Sequence, residues 1–113
     1  MRTLRFLSLL CEILFACMGL AGEIDGMRFI HIGLEEGLSH STIFGINQDK
    51  EGNLWFATYD GFNKYDGYNF TVYRHQYKNP KSIASDITRC VVIDNDNQIW
   101  MGNGMGLWRV NHE

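Results

Sequence analysis

Four histidines are the residues best suited to metal binding or acid–base chemistry, namely His31, His40, His75 and His112. No two of them have the spacing of a metal-binding pair, and none has a cysteine close by, so we predict no zinc site. His40 lies between two serines and could in principle activate one of them as a nucleophile. However, adjacent residues of a strand point to opposite faces and no oxyanion-hole turn is visible, which favours a loop histidine.

Two further motifs resemble ligand-binding loops only in part. Asp94–Asp96 looks like the start of a calcium loop, but Gln98 and Ile99 stand where an oxygen ligand and a glycine should follow. Gly102–Gly106 is rich in glycine, yet no Lys-Ser or Lys-Thr pair follows it and no helix begins after it. We therefore predict turns between strands at both places, and no cofactor or metal.

Aromatic side chains are the remaining candidates for ligand contact, because a flat apolar ring with a polar edge suits a sugar. They are Trp55, Tyr59, Tyr65, Tyr68, Tyr73, Trp100 and Trp108. Trp55 and Trp100 occupy equivalent positions of a repeat and are predicted to pack in the core. Tyr59 and Trp108 do not recur and could line a loop face. We assign no catalytic residue, and the ligand-binding residues stay open.

Trp55 and Trp100 belong to a sequence repeat that covers most of the chain. Gln48–Phe62 returns 45 residues later as Ile93–Leu107, and Asp49 is matched by Asp94. A period of roughly 40 to 45 residues is the length of a four-stranded propeller blade. The segments between turn residues are short, and no apolar pattern has helical spacing, so the predicted class is all-β.

Eight strands are predicted, at 27–32, 42–48, 53–58, 62–65, 69–73, 88–93, 98–102 and 107–110. Strands 42–48 and 88–93 are rich in apolar residues and are expected to be covered on both faces. Cys90 is expected to be a small buried side chain in the second of these. Gly52 and Asn97 are expected to hold the left-handed conformation in equivalent hairpin turns.

The first 21 residues have the features of a secretory signal peptide. Arg2 and Arg5 precede the apolar run Phe6–Leu20, and small residues follow around Ala21. An uncleaved anchor and lipidation at Cys17 are the alternatives. The whole chain has a net charge of −3, and its basic residues are scattered, so we predict no nucleic-acid partner. Cleavage would leave Cys90 as a single cysteine without a disulfide partner.

The order of motifs resembles the two-component regulator propeller repeat. The matching residues are Gly37-Leu38-Ser39, Asp49, Gly52, Leu54-Trp55, Thr58, Gly61, Tyr65-Asp66-Gly67 and Phe70. Ala57, Phe62 and Asn103 depart mildly from the usual pattern. The resemblance implies the N-terminal part of the periplasmic sensor of a Bacteroidetes-type hybrid histidine kinase that responds to carbohydrate-derived ligands. It also implies that phosphotransfer occurs elsewhere in the parent, so this chain itself is expected to be non-enzymatic.

The predicted organisation is an incomplete β-propeller of about two four-stranded blades plus a leading strand, after a signal-peptide helix. The signal peptide is 1–21 and the propeller repeats are 22–113, with blade one at about 38–82 and a partial blade two at about 83–113. Propellers close with about four to eight blades, so the remaining blades of the parent are expected partners. The isolated fragment is expected to be poorly soluble or loosely folded, because its leading strand exposes an edge.

Other partners follow from the same interpretation. The parent is expected to be anchored in the inner membrane by segments downstream of this chain, and a homodimer is an arrangement left open. The alternative function is that of the N-terminal blades of an exported propeller enzyme acting on polysaccharides, with its catalytic residues on later blades.

Overall fold

The computed structural model describes residues 26–111. The chain divides into two units between His31 and Ile32, and only residues 26–31 of the first are described. These residues are exposed and have no regular secondary structure, so the strand predicted at 27–32 is wrong. A strand needs a hydrogen-bonded neighbour to be stable, and no described strand pairs with this segment. The predicted signal peptide, its cysteines and His112 lie outside the described residues.

The second unit is all-β apart from one short 3-10 helix, Leu34–Glu36. Its strands are β1 (Ile43–Gln48), β2 (Leu54–Thr58), β3 (Gly61–Tyr65), β4 (Phe70–Tyr73), β5 (Thr88–Ile93), β6 (Ile99–Asn103) and β7 (Gly106–Arg109). They form two antiparallel sheets with the orders β1-β2-β3-β4 and β5-β6-β7. We call these sheets blade one and blade two. The all-β prediction is confirmed, and these seven strands agree with the predicted ones within a residue at each end.

The equivalent hairpin turns explain why the strands break where they do. In blade one the Asp49 backbone N–H donates to Asn53 O at 3.0 Å, and Gly52 has a φ of 90°. In blade two the Asp94 N–H donates to Gln98 O at 3.0 Å, and Asn97 has a φ of 60°. Glycine and asparagine accept this left-handed backbone more readily than other residues do. The predicted roles of Gly52 and Asn97 are confirmed.

The sequence repeat is also a repeat of strand register. Trp55 lies opposite Asn47 in blade one, and Trp100 lies opposite Val92 in blade two. The register also shifts at the same place in both inner strands, just before Gly45 and just before Cys90. Each residue of blade two can therefore be compared directly with its counterpart in blade one.

The blades pack side by side through opposite faces. Blade one contributes the side that carries Trp55, Ala57 and Phe62, which we call the Trp55 face. Blade two covers it with the side that carries Val91, Ile99 and Met101. Trp55 is 0% exposed, Phe62 is 2% exposed and stacks on it with ring centroids 5.3 Å apart. This interface is the hydrophobic core of the unit.

Two expectations about burial are wrong for the same physical reason. The inner strand β1 exposes Ile43 and Ile46, although it was expected to be covered on both faces. Cys90 is exposed, although it was expected to be buried. Each blade has only one neighbour in this chain, so one face of each sheet stays in contact with solvent.

Candidate functional site

The side chains of His40 and His75 form hydrogen bonds with the backbone of nearby residues. His40 Nδ1 accepts the Thr42 backbone N–H at 2.9 Å, and its ring centroid lies 5.4 Å from that of Tyr59. His75 Nδ1 lies 2.8 Å from Ile83 O. Between residues 26 and 111, no three or more His, Cys, Asp or Glu side chains come together in a way that could hold a metal ion. Across the same range, no helix is long and apolar enough to span a membrane.

The Asp49 carboxylate holds the core tryptophan of blade one in place. Its Oδ2 accepts the Trp55 Nε1–H at 2.8 Å, and its Oδ1 accepts the Asn53 backbone N–H at 2.9 Å. Burial acts to raise the pKa of Asp49, but the hydrogen bonds from Trp55 and Asn53 outweigh it, and the pKa lies below its ordinary value. A carboxylate held ionised by neutral donors is a structural group and not a proton donor near neutral pH.

Asp94 repeats this arrangement in blade two. Its Oδ2 accepts the Trp100 Nε1–H at 3.0 Å, and its Oδ1 accepts the Gln98 backbone N–H at 2.8 Å. The bond from Trp100 is the main cause that lowers the pKa of Asp94, followed by the bond from Gln98. Asp94, the first acidic residue of the calcium-like motif, therefore accepts hydrogen bonds from the Trp100 indole and from the backbone of its own turn.

A buried threonine clasp joins the two blades next to the core. Thr88 Oγ1 accepts the Thr58 backbone N–H at 2.8 Å and lies 3.0 Å from Gly61 O. Thr88 and Thr58 are both 0% exposed. Reasoning from the sequence missed Thr88, because its counterpart in blade one is Ile43 and the repeat gives no signal at this position. Asn103, the counterpart of Thr58, has a buried Nδ2 without a partner among the described residues.

An open cleft of about 580 Å³ lies between β4 of blade one and β7 of blade two. Its lining residues are Phe62, Val72, Tyr73, Arg74, Gln76, Asn79, Lys81, Ser82, Ile83, Met101, Trp108, Arg109, Val110 and Asn111. The lining therefore combines an aromatic wall with amide, hydroxyl and cationic groups, and includes no carboxylate or histidine. Trp108, which the sequence suggested for a loop face, is half-buried in this wall, whereas Tyr59 is 49% exposed and lies outside it.

In blade one, an aromatic side chain of β4 packs on the residues that are equivalent to two of those lining the cleft. Phe70 of β4 stacks on Tyr65 with ring centroids 4.5 Å apart and packs on Phe56 at 6.1 Å. The counterparts of Tyr65 and Phe56 in blade two are Val110 and Met101, and both line the cleft. The part of the cleft next to Val110 and Met101 therefore corresponds to the place of Phe70 in blade one.

Comparison with known proteins agrees with this geometry. Residues 37–60 match the family described as two component regulator propeller. Over 83 residues the chain is 34% identical to histidine kinase P4 of Formosa agariphila. The matched segment covers 72% of this chain and 6% of that protein. The chain therefore spans a small part of this relative.

Two solved structures from B. thetaiotaomicron have similar folds. One is the extracellular domain of a hybrid two component system, at 36% identity and a TM-score of 0.65, covering 73% of this chain and 12% of that one. A second extracellular domain is 25% identical with a TM-score of 0.55, covering 59% of this chain and 9% of that one. The recognition made from the motif order is confirmed: the chain carries a two-component regulator propeller repeat within blades like those of two-component extracellular domains.

Proposed function

We propose that the chain forms the first blades of a periplasmic, ligand-sensing propeller in a two-component sensor. The observation that carries this proposal is the likeness of its blade pair to the extracellular domain of a hybrid two component system, over 73% of the chain. Residues 1–21 act as the signal peptide and 22–113 as the propeller part, with blade one at about 38–82 and blade two at about 83–113. Downstream segments of the parent supply the membrane anchor, the further blades and the phosphotransfer chemistry.

The ligand in this proposal is derived from a carbohydrate. The cleft is lined by the aromatic side chain of Trp108 and by the side-chain amides of Gln76 and Asn79, of which Asn79 Nδ2 donates to Gln76 Oε1 at 2.7 Å. An aromatic ring can stack on a sugar while amides bond to its hydroxyl groups, which is a common division of roles in small-ligand sites. Binding would favour one conformation of the propeller over another, and this bias is the signal that the parent passes on. A homodimer is one arrangement through which that bias could cross the membrane.

The experiment uses the parent gene at its own locus and measures carbohydrate-dependent transcription across a panel of oligosaccharides. Trp108→Ala is compared with Tyr68→Ala, whose side chain is 89% exposed and lies outside the cleft. The proposal predicts that only Trp108→Ala raises the oligosaccharide concentration needed for the response. Periplasmic abundance of both variants is measured, so that loss of folding is not mistaken for loss of binding. A parent that responds to no carbohydrate would refute the ligand class.

Export is tested separately with alkaline phosphatase fused after Glu113. The enzyme is active only outside the cytoplasm, so the fusion should be active with residues 1–21 present and inactive without them. Mass spectrometry of the exported product then locates the cleavage site, which we place near Ala21. An inactive fusion with residues 1–21 present would contradict the periplasmic location.

A further inference from the structure

Two equivalent residues interrupt the pairing of the inner strands. Phe44 of β1 and Arg89 of β5 are the residues without a partner on the neighbouring strand, at the point where the register shifts. A β-bulge of this kind aims a side chain differently from the regular alternation of a strand, and bulges are common next to functional sites. The same backbone feature therefore presents an aromatic ring in blade one and a guanidinium group in blade two.

The two bulge side chains contact each other across the blades. The Arg89 guanidinium carbon lies 4.9 Å from the centroid of the Phe44 ring. The backbones of β1 and β5 also approach closely here, because a Cβ on Gly45 would lie 3.6 Å from Cys90 Cα. Phe44 is nevertheless 42% exposed, and Arg89 is exposed as well. The contact between the blades therefore leaves both groups accessible.

This accessibility does not depend on a missing neighbour. β1 and β5 are the first strands of their sheets, and each has a hydrogen-bonded partner on one side only. In a propeller the sheets surround a central channel, and neighbouring blades cover the faces of a sheet but not its inner edge. Side chains at the inner edge would therefore stay accessible from the channel in a longer parent.

Two further side chains continue the row that begins at Arg89 and Phe44. The ring centroid of Tyr59 lies 6.4 Å from that of Phe44 and 5.4 Å from that of His40. Because His40 Nδ1 accepts the Thr42 backbone N–H, the neutral imidazole carries its proton on Nε2. We call His40, Phe44, Tyr59 and Arg89 the inner-edge cluster.

The polar groups of the inner-edge cluster are all able to donate hydrogen bonds. In the part of the chain that the structure describes, no carboxylate forms an ion pair with Arg89. Within the same residues, His40 Nε2 and the Tyr59 hydroxyl have no hydrogen-bond partner. A guanidinium group binds a carboxylate or a sulfate through parallel N–H bonds, and a tyrosine ring packs well on a sugar. The cluster therefore suits a ligand that combines a sugar ring with a negative charge.

We propose that the inner-edge cluster binds an acidic sugar unit that carries a carboxylate or a sulfate group. Arg89 pairs with the anionic group, and Phe44 holds the guanidinium in position through the cation–π contact. Tyr59 packs on the sugar ring, and His40 Nε2–H donates to one of its oxygens. The choice of a sugar over another acidic ligand rests on the proposed function. The site itself is separate from the cleft at Trp108, whose lining includes none of the four residues.

The first test is an NMR titration of the isotope-labelled full chain with three probes. Trigalacturonate carries carboxylates, a sulfated galactobiose carries sulfate, and cellotriose is uncharged. At least one acidic probe should shift the signals of Arg89 Nε–H and of the Phe44 and Tyr59 amides. Cellotriose should bind there at least about tenfold more weakly, because it cannot form the charged bonds. The acidic probe that binds more tightly identifies the anionic group.

The second test uses variants with a matched control. Arg89→Gln should raise the dissociation constant of the acidic probe at least about tenfold. Phe44→Leu should raise it about threefold, whereas Phe44→Tyr keeps an aromatic face and should bind as the unaltered chain does. Lys78→Gln is the control, since Lys78 Nζ lies 5.5 Å from the Tyr77 ring and the change removes the same charge outside the cluster. Circular dichroism checks that each variant keeps its strand content.

The proposal is overturned if neither acidic probe binds at the cluster, if cellotriose binds there equally well, or if Arg89→Gln weakens binding no more than Lys78→Gln does. These results are distinct from those that decide the proposed function. A parent that responds to uncharged oligosaccharides through Trp108 would keep the proposed function while the inner-edge site fails. Binding that depends on Arg89, in a parent without any response to carbohydrate, would support the site and contradict the sensor role.

Discussion

Replacing Asp49 by alanine should destabilise the fold far more than the same change at Asp94, although the two residues are equivalent in the repeat. Asp49 accepts the indole N–H of Trp55 at 2.8 Å, and this tryptophan is 0% exposed. In Asp49→Ala the buried indole N–H would keep no acceptor and could not reach water. Asp94 makes the same bond to Trp100, but that side chain is only half-buried.

The size of the effect follows from the groups left without partners. A buried donor that loses its acceptor costs about 1–3 kcal/mol, and bonds to a charged acceptor lie at the upper end of that range. The Asn53 backbone N–H also loses its bond to the carboxylate, although it lies near the surface, where water can replace the acceptor. We therefore expect Asp49→Ala to lower the free energy of unfolding by about 3 kcal/mol. For Asp94→Ala we expect a smaller loss, because water can bond to the indole of Trp100.

The assay is equilibrium unfolding in urea at pH 7 and at one fixed protein concentration, because self-association would make stability concentration-dependent. Tryptophan fluorescence and circular dichroism are followed together, and coincident transitions are required for a two-state treatment. Asp49→Asn is the companion variant, since it keeps an oxygen acceptor for Trp55 and should be less destabilising than Asp49→Ala. Equal losses at Asp49 and Asp94, or a loss at Asp49 below about 1 kcal/mol, would mean that the Asp49–Trp55 bond does not stabilise the core.

Three further predictions concern the clasp, the inner strands and acid. Thr88→Val keeps the shape of a 0% exposed side chain but removes its hydrogen bonds to Thr58 and Gly61. It should lower the free energy of unfolding in urea by about 1–3 kcal/mol. The control Thr71→Val, on the exposed side of β4, should change that free energy by less than about 0.5 kcal/mol. Gly102→Ala should destabilise because a Cβ there would lie 2.6 Å from Cys90 Sγ, and a double-mutant cycle with Cys90→Ala should recover most of the loss. The free energy of unfolding should be constant well above the ordinary Asp pKa of 3.8 and should fall as the pH decreases below it. The reason is that the pKa of Asp49 in the folded state is lowered, so the unfolded chain binds more protons than the folded chain in that pH range. A pH titration of the urea midpoint checks this, and Asp49→Ala should show a shallower decrease.

The strands could be predicted from sequence because their limits are set locally. The Asp49–Asn53 turn and its counterpart in blade two supply side-chain acceptors and left-handed residues at fixed positions. Apolar alternation between such turns then defines each strand. Seven of the eight predicted strands are present for this reason. The segment at 27–32 has a strand-like composition, but its structure depends on a partner that composition cannot reveal.

What the sequence could not predict depends on contacts between the repeats. Thr88 lies where blade one has Ile43, so alignment of the repeats hides the clasp. Cys90 and Ile46 have the composition of buried strand residues, but their exposure depends on how many blades stand beside them. For the candidate site, Trp108 stands out in the sequence because it does not recur, but the cleft that it lines is formed by residues of both blades, and alignment of the repeats cannot reveal that contact.

A crystal structure of the full chain would show whether the two blades pack with the Trp55 face of the first against the opposite face of the second. We expect β1–β3 to superimpose on β5–β7 in the same register, and Thr88 Oγ1 to lie within hydrogen-bonding distance of the Thr58 backbone N–H. A helix anywhere between residues 42 and 73, or two sheets that fail to superimpose, would contradict it.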